Sequence, residues 1–464
     1  MRVLLLSPPY VKEYMRNARC DFVSLSATQW YPVLLGYCGA WLEKQGHTVR
    51  LIDAPAQGLD HEETRRLAVE FSPDLIVVYT GRKSEANDLA FGDELVEKLG
   101  CDAVIVGPYA GIDPEATLAG ARRIEKLVSG EFDHPVAELA EGRKPADIRN
   151  LITREDGKIR RNPERPCLNR RDLDAIPFVS DFFRRHVDIF RYKAISELHP
   201  YMDILTGRGC AWGRCTYCLW VHTYVRGATY NTRSVGNVID ELRFIQQEMR
   251  RIRSVMFQDD TFTEDRAKEI CEAMLDASVK LPWSCYSRAD MSLEVLSLMK
   301  RAGCRNLHVG YESADPTVLK RIRKGLTVDR MTRFTEDAKR AGLRIHGDFA
   351  LGFPGETMES ARKTIDWAYR LNPDTAQFQL MIPFAGTPYH EELRSRGWLN
   401  QEGEPDLPGF DNASIRQAAK QAYRRFYLSP RYAWKCILHP HDHFLGRLKT
   451  ISRALPAMFW KKWS

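Results

Sequence analysis

Three of the eleven cysteines stand close together in the segment GRGCAWGRCTYCLW, where Cys210, Cys215 and Cys218 have the spacing C-x4-C-x2-C. Thiolates are soft ligands, and three of them on one loop can hold an iron–sulfur cluster while leaving one iron without a protein ligand. An iron with an open position is a reactive one. A structural zinc site is the alternative reading, but tetrahedral zinc needs a fourth ligand, and the nearest candidate, His222, stands at an unusual spacing. The remaining cysteines are scattered singly, the pattern of reduced thiols rather than of a disulfide framework.

A loop of this kind needs rigid elements to carry it, and the flanking sequence supplies them. From Tyr201 onward, MDILTG, SVMFQDD, WSCYSRAD, NLHVGYES, GDFALGFPG and AQFQLMIPFAG are six strand-like segments separated by helical stretches such as VGNVIDELRFIQQEM and VDRMTRFTEDAKRAG. Units of strand plus helix at this spacing predict a (β/α) barrel of six strands, whose chemistry belongs at the strand ends. The cysteine loop follows the first of them. Gln258, Asp259 and Asp260 close the second strand, Arg288 follows the third, Glu312 ends the fourth, Gly352 to Glu356 form the turn after the fifth, and Pro383 to Pro388 end the sixth. Three of these have a plainer alternative: Asp260 as a helix cap, Arg288 in a surface ion pair, the glycines as a tight turn.

Upstream, MRVLLLS, TVRLIDA, PDLIVVYTG and CDAVIVG alternate with the helical YPVLLGYCGAWLEKQGH and SEANDLAFGDELVEKLG, which predicts an open parallel sheet over residues 1–140. Ligands of such sheets bind beyond the carboxyl ends of the strands, here Pro8, Asp53, Thr80, Gly107, Pro108 and Tyr109. Neither a phosphate loop nor a GxGxxG pattern occurs there. Residues 141–198 read as a connector containing a hairpin around Asp156-Gly157, 199–395 as the barrel, and 396–464 as a helical basic region.

Composition bounds the rest. Hydrophobic residues make up 44% of the 464, enough for large cores, and intrinsic disorder is excluded. No apolar run reaches the roughly 18 residues that a membrane span needs, and the amino terminus lacks a secretory signal, so a cytoplasmic protein is expected. Formal charge is +7, but residues 414–464 alone carry eleven Lys or Arg against Asp442. Confined to one end, that charge argues against nucleic acid and for a local anionic partner. Phe444, Leu445, Leu448, Ile451 and Leu455 recur at helical spacing among Arg447, Lys449 and Arg453, and Trp460 and Trp463 flank Lys461 and Lys462. Such a segment suits peripheral binding to the inner face of a membrane.

The cysteine loop with six βα units, over residues ~200 to ~395, resembles the radical S-adenosylmethionine (SAM) superfamily, whose usual motif is C-x3-C-x2-C with an aromatic before the last cysteine, here Tyr217. The resemblance implies a [4Fe–4S] cluster on the three cysteines whose open iron binds the amino and carboxylate groups of SAM, and reductive cleavage to a 5′-deoxyadenosyl radical. It implies contacts to SAM from Tyr217, Gln258, Asp259, Arg288, Glu312 and Pro383, with Arg288 on the methionine carboxylate and Glu312 in the polar pocket; Arg288 and Glu312 are the expected catalytic pair. Four residues, Ala211 to Arg214, separate the first two cysteines, one more than in the family pattern. An open-sheet domain before such a barrel is similar to the cobalamin-binding class, which implies cobalamin on the strand-end face. No Asp-x-His-x-x-Gly occurs among residues 1–150 to nominate a histidine ligand to cobalt.

LIDAPAQGL, CTYCLW, KGLTV, IHGDFALGFPGET and AYRRFYLSPRY are similar to the hopanoid-biosynthesis radical SAM proteins of the HpnJ type. That likeness implies a rearrangement or ring contraction on a lipid or lipid-linked substrate, with flavodoxin or ferredoxin as electron donor. CLWVHT here replaces that family's CLWPQT. The competing expectations are a cobalamin-dependent C-methyltransferase acting on another natural product and a non-catalytic iron–sulfur or zinc module.

Overall fold

In the amino-terminal region, RVLLLS, LIVVY and DAVIV are buried apart from the leading Arg2 and Asp102, as strands covered on both faces must be. The computed structural model describes residues 1–17, 21–24, 28–194 and 196–438. Its first sheet has seven strands, in the order Thr48–Asp53, Arg2–Ser7, Leu75–Tyr79, Asp102–Val106, Lys126–Val128, Leu151–Glu155, Lys158–Arg161. The first five are parallel and the last two antiparallel. Alternation sends Val3 and Leu5 to one core with Leu34 and Leu35 of the helix Val33–Lys44, and Leu4 and Leu6 to a second with Leu89 and Leu95 of the helix Glu85–Leu99.

The hairpin at Asp156-Gly157 forms as expected, both residues adopting positive φ (49° and 73°) in the manner of a two-residue hairpin turn. Its place differs from the connector expected over 141–198. Leu151 pairs with Val128, so the hairpin extends the first sheet instead of bridging two domains.

The second sheet contains the six expected barrel strands, Tyr201–Ile204, Ser254–Phe262, Trp283–Ser287, Cys304–Glu312, Arg344–Leu351 and Thr375–Leu380, all parallel and in chain order. The sixth strand does not return to the first, and its free edge is covered by the helix Asn412–Tyr427. The Tyr427 hydroxyl accepts from the Ala376 amide at 2.9 Å and donates to the Ala376 carbonyl at 2.7 Å, satisfying backbone groups that face the open edge, on the side away from the fifth strand. Among the described residues no helix is long and apolar enough to cross a membrane. The amphipathic segment from Phe444 onward lies outside the described residues.

One apolar core runs from Val3 to Tyr432 through both sheets. Tyr31, just before the first long helix, stacks on Tyr192 at 4.0 Å, and its amide donates to Asp203 of the first barrel strand at 3.1 Å. That helix reaches its partner through glycine: a Cβ at Gly36 would lie 2.3 Å from the Phe183 ring, and one at Gly39 equally close to Phe182.

Candidate active site

The cysteine loop leaves the first barrel strand through a short hairpin, Gly207–Gly209 against Tyr230–Thr232. Gly209 has φ of 95°, and a Cβ there would lie 2.0 Å from the Thr229 carbonyl oxygen, so only glycine passes. The additional residue in the cysteine spacing is accommodated by a dock. Trp212 lies against Gly325, where a Cβ would come within 2.1 Å of the indole, and its Nε1 donates to the Arg323 carbonyl at 2.8 Å. Thr216 donates from its amide to Ile322 at 3.1 Å and accepts from the Tyr389 amide at 3.0 Å. After Cys218 the chain forms a π-helical turn, Trp220–Tyr224.

Cys210, Cys215 and Cys218 are all half-buried free thiols. Burial pushes the Cys215 thiol up, against the opposing pull of Lys324 and Arg288; burial and the neighbouring Cys215 take Cys218 to about 12. Protonated without metal, Cys215 and Cys218 release protons on ligation. The donor set fits a cluster. His222, the candidate fourth zinc ligand, has Nε2 3.1 Å from the Cys215 carbonyl oxygen. Among the described residues no three His, Cys, Asp or Glu side chains converge as the ligands of one ion do, whereas a cluster binds each thiolate at a different iron.

Beside the cysteines is a buried charge cluster. Glu312 ends the fourth strand with a φ of 65°, an uncommon backbone for a non-glycine residue, and its Oε1 accepts from Tyr217 Oη at 2.8 Å and from Lys324 Nζ at 2.9 Å. Lys324 was not anticipated as a site residue. It lies twelve positions beyond Glu312, and only its place in KGLTV distinguishes it in the sequence. Arg288 stacks over Trp212 at 4.9 Å and donates to Asp290 at 3.0 Å and to the Lys324 carbonyl at 2.8 Å. Tyr217, Glu312, Arg288 and Lys324 thus meet at the cysteine loop. Phe353 continues the group, 5.3 Å from the Tyr217 ring.

Two residues expected to contact SAM are committed elsewhere. Asp259 is fully buried and accepts three hydrogen bonds of 2.6 Å, from the Thr206 amide, the Thr206 hydroxyl and Tyr230 Oη. Gln258 donates to the buried Asp203 at 3.1 Å. Both secure the root of the cysteine loop. Asp260 is the residue of this run nearest the cysteines, with Oδ2 accepting from the Gly209 amide at 2.6 Å.

In the sheet domain, Pro8, Thr80, Pro108 and Tyr109 are buried at the strand ends. Gly107 has φ of 128°, and a Cβ there would press on the Thr80 carbonyl at 2.9 Å. Asp53 does not face a ligand: it accepts from Tyr192 Oη at 3.1 Å, and burial pushes its carboxyl up to about 6. Beneath these residues Arg16 plugs the sheet end, donating to Ser7 Oγ at 2.9 Å, the Pro8 carbonyl at 3.0 Å, Ser84 Oγ at 2.8 Å and Asp88 at 2.7 Å.

The two strand-end faces meet. Tyr109 packs on Phe384 of the loop after the sixth barrel strand, with ring centroids 5.6 Å apart. Arg208, two residues before Cys210, is buried in the junction and donates to Glu131 at 3.0 Å and to Asp133 at 2.7 and 3.1 Å. Neither the clamp nor its partners stand out in the sequence, because 75 or more positions separate them.

Residues 204–368 match the family model of the radical SAM superfamily. The chain thus carries a radical SAM domain, of the kind that works with a [4Fe–4S] cluster and SAM. It is 29% identical to an uncharacterised methyltransferase of Pyrococcus horikoshii, over 96% of this chain and 97% of that protein. It is 26% identical to the cytidylyl-2-hydroxyethylphosphonate methyltransferase of Streptomyces wedmorensis, over 92% of this chain and 90% of that one. Its fold matches the radical SAM methyltransferase TsrM from Kitasatospora setae, solved with cobalamin and a [4Fe–4S] cluster bound, with a TM-score of 0.70 at 19% identity, over 98% of this chain and 99% of that one.

Proposed function

We propose that this radical SAM enzyme is a cobalamin-dependent C-methyltransferase. The observation that carries the reading is the junction: the Arg208 clamp and the Tyr109–Phe384 contact set the sheet domain's strand ends against the mouth that holds the cysteines. A macrocycle fringed with amides also fits what is left there. Tyr79 Oη, Tyr224 Oη and Arg82 Nε are buried at or near this face without a hydrogen-bond partner in the protein, and buried polar groups of this kind require one.

Bound at their sites, the cluster would supply the electron that cleaves SAM and cobalamin a transferable methyl group. The protein's part is placement. Cys210, Cys215 and Cys218 hold the cluster; Lys324 and Arg288 offer cations to the methionine carboxylate; Glu312, oriented by Tyr217, offers an acceptor to its amine. The relatives whose printed names are methyltransferases favour this reading over a hopanoid ring contraction, and none of those compared supports a lipid substrate. The electron donor is expected to be a flavodoxin or ferredoxin.

The test is anaerobic reconstitution with iron, sulfide, cobalamin, SAM and a reductant. Formation of S-adenosylhomocysteine alongside 5′-deoxyadenosine is the expected result. 5′-Deoxyadenosine without S-adenosylhomocysteine, whatever the cobalamin supplied, would return the balance to a rearrangement.

A further inference from the structure

The barrel interior is not uniform. Along the fifth strand Arg344, His346 and Asp348 are half-buried while Ile345, Gly347 and Phe349 between them are buried under helices, and Thr375, Gln377 and Gln379 repeat the pattern on the sixth. Side chains that alternate in this way line an accessible hollow on the lumen side. On the opposite wall Asp203, Gln258 and Ser284 are buried. The hollow therefore lies off the last three strands.

Rings and acceptors are gathered at its centre. His308 is 7% exposed, and its Nε2 has no hydrogen-bond partner in the protein. Tyr286 lies 5.2 Å from its ring, His346 5.0 Å, and Trp30, contributed by the sheet domain, 6.1 Å. His346 holds Thr375 Oγ1 through Nδ1 at 2.7 Å and faces Asp348 through Nε2 at 3.3 Å. The cations at the mouth are paired, Lys324 with Glu312 and Arg288 with Asp290. Arg344 stands at the far end of the strand from the cysteine loop, and Tyr423 of the helix covering the edge lies within electrostatic reach of Asp348. Burial and the neighbouring His346 hold His308 neutral, well below the usual imidazole range.

We infer that this hollow binds the substrate, and that Asp348 with the rings of Trp30, Tyr286 and His308 selects an aromatic or heterocyclic molecule carrying a basic nitrogen. The inference rests on the proposed function for the word substrate only. A carboxylate beside aromatic faces attracts a nitrogen cation and repels an anion, and a neutral buried imidazole accepts from or donates to the ring's own polar atoms. An alkyl chain would leave His308 Nε2 without a partner.

The test is calorimetric titration of the full-length protein with two probes that share an indole and differ in charge, tryptamine and indole-3-propionate. Tryptamine is expected to bind about tenfold more tightly, and Asp348→Asn to bring the two within about twofold. Tighter or equal binding of the acid, failure of both to bind at millimolar concentration, or an undiminished preference in the variant would overturn the inference. Because neither SAM turnover nor cobalamin enters the titration, loss of the methyltransferase reading and loss of this one are separate outcomes.

Discussion

The two strand-end faces of the molecule are built on opposite terms. At the sheet domain most polar groups are closed on one another, with Tyr79 Oη and Arg82 Nε left over: Arg16 alone ties Ser7, Pro8, Ser84 and Asp88 together. What it presents outward is backbone and small residues around Thr80 and Gly107. At the barrel, three free thiols, a lysine–glutamate pair and an arginine stacked on an indole crowd the opening. The first face is largely closed and the second is rich in donors and acceptors, so changes at the two should fail differently.

The largest expected effect is at the barrel. Replacing Cys215 by Ala should reduce 5′-deoxyadenosine formation to background, while circular dichroism and the thermal midpoint stay near those of the unchanged apoprotein. Retained SAM cleavage would remove the cluster assignment and with it the contrast between the faces.

Removing either buried guanidinium comes next. Arg208→Met leaves Glu131 and Asp133 buried without their cation, and Arg16→Met does the same to Asp88, so each should cost about 3 to 5 kcal/mol in denaturant unfolding. They should part in function. The Arg208 variant is expected to lose bound iron after reconstitution, and the Arg16 variant to keep iron and SAM cleavage while losing cobalamin absorbance. Equal iron in both would mean that the clamp does not serve the cysteine loop.

A smaller effect is expected within the charge cluster. Lys324→Met should raise the KM for SAM about tenfold, and Tyr217→Phe, which removes one hydrogen bond to Glu312, should change it by about threefold. If the order is reversed, Glu312 is held by the tyrosine rather than by the lysine.

The smallest effect concerns pH. Glu356 in the turn after the fifth strand is fully buried, and burial takes its carboxyl to about 8 although the Gly352 and Phe353 amides donate to it. Raised above its unfolded value, it favours the folded state when protonated, and that contribution is lost as pH rises from about 4.5 through 8. Glu356→Gln should therefore raise the midpoint by about 2 to 4 °C more at pH 8.5 than at pH 5. A constant difference between the two would show a carboxylate that is already charged at the lower pH.

Much of this architecture was legible from local signals. Apolar runs marked the strands of both sheets, Asp156-Gly157 marked its hairpin, and cysteine spacing marked the loop at the mouth of the barrel. What local signals could not show is which polar residues face a ligand and which face one another. Asp259 and Asp260 are adjacent and alike in sequence, yet one secures Thr206 and Tyr230 and the other caps the Gly209 amide beside the first cysteine. Strand alternation separates them, and their side of the sheet is decided by packing far away. Lys324 and Trp212 went unread for the same reason: their partners are twelve and 111 positions distant. The hairpin was recognised but misplaced, because its pairing with Val128 depends on a strand of three residues.

The tyrosine that seals Ala376 has a meaning for the protein during its own synthesis. Tyr427 follows Ala376 by 51 residues, so at a translation rate of about 5 to 20 residues per second the last barrel strand emerges several seconds before the side chain that covers it. For that interval the nascent barrel offers a neighbouring nascent chain on the same message one open strand edge. Slow codons between the two positions, or a ribosome stalled there, would lengthen the exposure without altering a single amino acid.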